Sequence, residues 1–135
     1  MALTNIYKGI AFPFGASASS LPAAAVDDAL IKDTLTQLVI TGNGERVMRP
    51  ELGSGAYSYV FESNDDLMAA AIRVAIANVI AKYEPRVIVQ RIDVEKDTSD
   101  GKYQDTVVVT ISYVVIATQQ PDSVTVALTA DQGVV

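Results

Sequence analysis

The sequence predicts an α+β domain: two main helices packed on a small antiparallel β-meander of about three strands, with an extended N-terminal arm. Three observations carry this reading. Apolar residues recur at helical spacing in two separate stretches. After Pro85 the apolar period changes to two. Turn signals at Asp100-Gly101 and Gln120-Pro121-Asp122 then cut the period-two region into a meander.

The chain divides into an arm and connector over residues 1–25, one domain over 26–128 and a flexible tail over 129–135. In the arm, Tyr7, Phe12 and Phe14 stand among Gly9, Pro13 and Gly15, which suits an extended segment pinned by ring burial. Residues 15–25 are small and rich in Ser, Ala and Pro, the composition of a loop or flexible connector. From Val26, the residues Leu30, Ile31, Leu35, Leu38 and Val39 mark a helix. Asp27 and Asp28 complement its N-terminal dipole, and Gly42 is its expected stop.

Residues 42–55 contain four glycines and Pro50, which forbid long regular structure while holding Glu45, Arg46, Arg49 and Glu51 close together. An ordered loop is expected, and loops of this length inside a compact domain are often functional. Ser63 is a good N-cap, with Asp65 and Asp66 in the first turn. Leu67, Met68, Ala71, Ile72, Ala75, Ile76, Val79, Ile80 and Tyr83 then form a double stripe, widened by Val74 and further alanines. Protein on both sides of this helix is the expectation.

Beyond Pro85, Ile88, Ile92 and Val94 alternate with Arg91, Asp93 and Glu95 as a strand with one polar face. Residues 97–102 read as a hairpin connection. A second strand over 103–118 places Val107, Val109, Ile111, Tyr113 and Val115 opposite Thr106, Thr110 and Ser112. Val124, Val126 and Leu128 make a short third strand. A meander leaves at least one edge open to strand addition, and the proline-free stretch 103–118 is the expected site of it.

Composition removes most enzyme classes. With neither Cys nor His among 135 residues, disulfides, thiol nucleophiles, the usual zinc ligand sets and histidine bases are all missing. No catalytic residue, metal site or cofactor is expected. A net charge of −6 with scattered basic residues gives no nucleic-acid footprint. No membrane span or leader is read in the sequence, and folding in a cytoplasm is the expectation. Glu45, Glu51 and Glu84 could be imagined as a glycosidase pair, yet each has an arginine within two residues, which lowers a carboxyl pKa when a general acid needs it raised. The glycine spacings match neither a dinucleotide fingerprint nor a P-loop.

The stretch Glu84-Pro85-Arg86 stands where the longer helix stops and the first strand of the meander begins. Proline pushes Glu84 toward extended geometry and sets the angle at which the strand leaves, so Arg86 occupies a defined place. A guanidinium held in this way can dock a partner in one orientation.

Together, the segment Gly9-Ile10-Ala11-Phe12-Pro13, the loop from Gly44-Glu45-Arg46-Val47-Met48-Arg49-Pro50-Glu51 to Leu52-Gly53-Ser54, the acidic helix start and Tyr83-Glu84-Pro85-Arg86-Val87 resemble the small baseplate wedge proteins of contractile phage tails. That family includes the E component of the type VI secretion baseplate, and some members were once named acidic lysozymes. The resemblance implies a structural protein of the virion tail baseplate, assembled in the bacterial host cytoplasm. Its partners would be other wedge proteins, the tail sheath protein and the tail tube, in several symmetry-related copies, with no nucleic acid or membrane. Glu84, Pro85 and Arg86 would dock to the wedge, and Arg46, Arg49 and Glu51 would form a second motif, either interface or internal support. Strands would template the first sheath ring. A soluble regulatory module resembling an anti-adaptor, and a muramidase, are the alternatives.

Overall fold

The computed structural model of the chain describes residues 6–61, 66–97 and 106–129. It is α+β, as predicted. Strands β1 (Lys8–Ile10) and β2 (Ala24–Val26) form a small antiparallel ribbon, which leads into helix α1 (Asp27–Ile40). A 3-10 helix (Ala56–Phe61) precedes helix α2 (Asp66–Tyr83), and strands β3 (Val87–Asp97), β4 (Thr106–Val115) and β5 (Gln120–Thr129) complete an antiparallel sheet in the order β3-β4-β5. The expected N-cap at Ser63, the hairpin around Asp100-Gly101 and the tail after Thr129 lie outside the described residues.

One face of the sheet carries the core. Ile31, Leu35 and Val39 of α1 and Ile72, Ile76 and Ile80 of α2 pack against alternate residues of β4, namely Val107, Val109, Ile111, Tyr113 and Val115, with Val126 and Leu128 of β5. Each fully buried aliphatic side chain contributes about 1.5–3 kcal/mol by leaving water. The outer row of α2 is different: Leu67 and Val74, expected in or beside the buried stripe, are exposed, because only one side of the helix faces the sheet.

The first strand departs from simple alternation. A bulge between Val89 and Arg91 shifts the register, so Val87 and Val89 face the core before it while Ile92 and Val94 face the core after it. Ile88, expected inside with Ile92, is therefore exposed. At the other end, the chain turns at residues 116–119 rather than at Gln120-Pro121-Asp122; Gln119 takes a positive φ of 55° and those three residues already belong to β5. Proline is tolerated there because β5 is an edge strand. The third strand is as long as the second, not short.

Helix α1 also ends without its expected glycine cap. Thr41 is extended and sends both its N–H (3.0 Å) and its hydroxyl (2.6 Å) to the Gln37 carbonyl. The arm is fastened at the opposite end of this helix. Asp27 accepts the Tyr7 N–H on its carboxylate (3.0 Å) and donates its own N–H to the Tyr7 carbonyl (2.9 Å), while Asp33 accepts the Phe12 N–H (3.1 Å). Backbone pairing does most of the pinning. Tyr7 packs on the core, whereas Phe14 stays exposed.

Candidate partner-docking surface

Glu84 directly follows α2 and is the surface's hidden base. Its N–H still bonds the Ile80 carbonyl (2.8 Å), and its side chain turns inward until the residue is 1% exposed. A carboxylate in such a place needs a counter-charge. Arg86 supplies one: Nε donates to Oε1 at 2.5 Å and Nη2 donates to Oε2 at 2.6 Å, a two-pronged match of guanidinium to carboxylate. Pro85 sits exposed at the apex between the two partners. The hydrogen bonds to Glu84 raise the Arg86 pKa against the opposing effect of burial, so the guanidinium stays charged.

Arg86 also gathers two distant segments. Its guanidinium carbon lies 5.0 Å from the centre of the Tyr7 ring, and its backbone carbonyl accepts the Ile116 N–H at 2.9 Å. The arm, the end of α2 and the β4–β5 turn therefore meet at one residue. Tyr7, expected from the sequence as one of the rings that pin the arm, was not among the candidate docking residues.

Residues 42–55 form an ordered loop tied at its base. Ser54 donates its hydroxyl to the Val39 carbonyl (2.8 Å) and accepts the Ala56 N–H (3.1 Å). Gly53 adopts φ 114°, and a Cβ there would lie 2.3 Å from the Thr41 carbonyl oxygen, so no other residue fits. Glu45 folds back on the Gly42 N–H (2.9 Å), and the Gly44 N–H bonds the Pro50 carbonyl (2.9 Å).

The two charged motifs are joined through Tyr83 rather than directly. Arg49 pairs with Glu51 (3.0 Å), the Tyr83 hydroxyl donates to the Glu51 carbonyl (3.3 Å), and the Arg49 and Lys82 cations lie 5.9 Å and 5.0 Å from the Tyr83 ring centre. Glu51's own backbone N–H, then Arg49, hold its carboxyl below the ordinary range. Arg46 is exposed and makes no ion pair among the described residues. The intervening Val47 and Met48, quoted in the sequence only as part of the motif, are 90% and 91% exposed.

These placements weigh on the glycosidase idea. Glu84 is sealed against Arg86, Glu45 caps a backbone N–H, and Glu51 is shifted in the direction opposite to that of a general acid. Among the described residues, no group of three or more Asp and Glu side chains could hold a metal ion. No helix among them is long and apolar enough to cross a membrane.

The strand over 103–118 needs correction as a docking edge. Its described part, β4, is the central strand and is paired on both sides by the chain itself. The outer edges belong to β3 and β5, and they differ. The edge of β3 is interrupted by the bulge, carries Arg91, Asp93, Glu95 and Lys96, and has its Ile92 carbonyl occupied by Arg73 Nε at 3.1 Å. Strand β5 runs in unbroken register with β4 and carries Asp122 as its one charged residue. The Ser123 N–H bonds the Asp122 carboxylate (2.7 Å), which marks Ser123 as outward-facing; by alternation, the N–H groups of Thr125 and Ala127 also point away from β4.

The family described as Baseplate wedge protein gp25 matches residues 25–120. No curated protein matches the chain. Among solved structures, a crystal structure described as that of a tail lysozyme candidate from Geobacter sulfurreducens is similar at 20% identity and a TM-score of 0.68, covering 82% of this chain and 98% of that one. A chain of the anti-feeding prophage baseplate, solved by cryo-EM with six-fold symmetrisation, is similar at 21% identity and a TM-score of 0.64, covering 93% and 86%. A chain of the postcontracted pyocin R2 baseplate is similar at 26% identity and a TM-score of 0.54, covering 76% and 97%.

Proposed function

Because the chain belongs to the gp25 family of baseplate wedge proteins, we propose that it works as a structural component of a contractile-tail baseplate, docking to other wedge proteins and seeding the first ring of sheath. The match across residues 25–120, which takes in both charged motifs, is the observation that carries this reading. The work is done by surfaces and not by turnover. Pro85 and the outer side of Arg86 form one contact, presented at a fixed angle because Glu84 locks the guanidinium from beneath. The loop bearing Arg46, Arg49 and Glu51 forms a second contact, with Arg49 and Glu51 also bracing Tyr83. Several symmetry-related copies surround the tail tube, a reading supported by the six-fold symmetrisation of the prophage relative, and assembly takes place in the host cytoplasm.

Sheath seeding by strand addition is assigned to β5. Its outward N–H and carbonyl groups would pair with an incoming sheath strand and fix its register with little dependence on side chains. The test is sheath assembly on baseplates carrying Thr125→Pro, which removes an outward N–H, beside Thr125→Val, which removes only the hydroxyl contact to Thr110. The expected result is a folded chain that enters the baseplate in both variants, with sheath assembly lost in the proline variant alone. Normal sheath on Thr125→Pro baseplates would overturn this assignment.

A further inference from the structure

Val47 and Met48 are the most exposed of the large apolar side chains among the described residues, at 90% and 91%, and they sit on a loop that is tied down rather than loose. The ties are the Gly44 to Pro50 bond, the Glu45 cap on Gly42, the Arg49–Glu51 pair and the Tyr83 hydroxyl on Glu51. Met48 is held at φ 61°, a left-handed conformation that is unfavourable for a residue with a Cβ. Neither exposure nor strain benefits the isolated chain. A tip fixed in advance, however, loses little conformational freedom when it is bound.

Charge defines what can bind there. In a chain of net charge −6, the tip is flanked by Arg46, which has no ion-pair partner among the described residues, and the Arg49 and Lys82 cations lie together at the Tyr83 ring nearby. Glu45 and Glu51 are already engaged, one by a backbone N–H and the other by Arg49. The local excess is positive.

We infer that Val47 and Met48 plug into an apolar pocket, rimmed by carboxylates, on a neighbouring baseplate protein, with Arg46 meeting the rim. This rests on the baseplate reading above and gives the loop contact its chemistry. The apolar pair supplies the burial, and Arg46 supplies orientation and rate of encounter.

The test co-expresses the full chain with the other baseplate proteins of its particle and measures complex formation for the wild type, Val47→Ser/Met48→Ser, Met48→Leu, Met48→Gly and Arg46→Gln. The serine double variant should unfold at the wild-type midpoint and bind about tenfold or more weakly, and Met48→Leu should bind like wild type. Met48→Gly should raise the unfolding midpoint while weakening the complex. Arg46→Gln should bind with a smaller dependence on salt. If the wild type assembles and the serine double variant assembles equally well, the inference falls and the baseplate reading stands. Failure of the wild type itself to assemble overturns both. Self-association of the purified chain that disappears in the serine double variant would put the pocket on a second copy and overturn the occupant named here.

Discussion

Two arginine–carboxylate pairs lie close together in this molecule, each spanning two positions in sequence, and they do different work. In the Glu84–Arg86 pair the side chains are 2% and 26% exposed; in the Arg49–Glu51 pair the arginine is 58% and the glutamate 47% exposed. Water screens the second pair and leaves it little net stabilisation. The first cannot be separated without leaving a charge inside the protein. The same residue types therefore make a structural joint in one place and an adjustable surface brace in the other, and burial decides which.

Removing Arg86 is the strongest way to test that contrast. Arg86→Ala should cost about 3–5 kcal/mol of unfolding free energy in urea denaturation, because Glu84 is left buried and unpaired. Replacing both partners, as in Glu84→Leu with Arg86→Met, should recover most of that loss. A cost below about 1 kcal/mol for Arg86→Ala would make the two pairs equivalent and erase the distinction.

Gly53→Ala attacks the loop at its base. With φ at 114° and a backbone oxygen 2.3 Å from the added Cβ, the change should cost roughly 3 kcal/mol, read as a fall in the thermal midpoint. Tyr83→Phe should cost less, about 0.5 kcal/mol, since it removes one 3.3 Å hydrogen bond between the end of α2 and the loop. Amide exchange at residues 44–52 should quicken in this variant while exchange around Arg86 stays unchanged.

Arg49→Ala should have the smallest effect, with no measurable change in unfolding midpoint at pH 7. Its signature lies in titration. Glu51 is held below its ordinary value of 4.5, so its contribution to stability is present above that pH and disappears as pH falls through the lowered folded value. Without Arg49, the carboxyl resonance of Glu51 should titrate closer to 4.5, and this acid-side loss should shrink. A Glu51 titration that does not change in this variant would assign the depression to its own backbone N–H and the nearby Lys82 charge.

The helices were legible because their apolar spacing answers directly to burial on one side, and Ile31, Leu35, Ile72 and Ile76 all lie in the core. Exposure of Leu67 was not legible, because a stripe of apolar residues does not say how wide the facing surface is. The reversal of Ile88 was hidden for another reason: Val89-Gln90-Arg91 contains no glycine or proline to announce a bulge. The centre of the sheet could have been deduced, since the middle strand of a three-strand meander is flanked by the other two from connectivity alone. At the candidate docking surface, proline marked the junction between α2 and β3, which lies between Tyr83 and Val87. The depth of Glu84 was unreadable, since glutamate is ordinarily exposed and this one is 1% exposed.

The convergence on Arg86 has a mechanical consequence. Tyr7, Glu84 and Ile116 are far apart along the chain, yet each is fastened to this one residue, by ring face, ion pair and backbone hydrogen bond respectively. Tension applied to the arm or to the β4–β5 turn thus has a short second path to the end of α2, through the contacts of Arg86, beside the path through the chain and the arm's own bonds to α1. Arg86 acts as a rivet through which a pull on one corner of the domain becomes a pull on the whole of it.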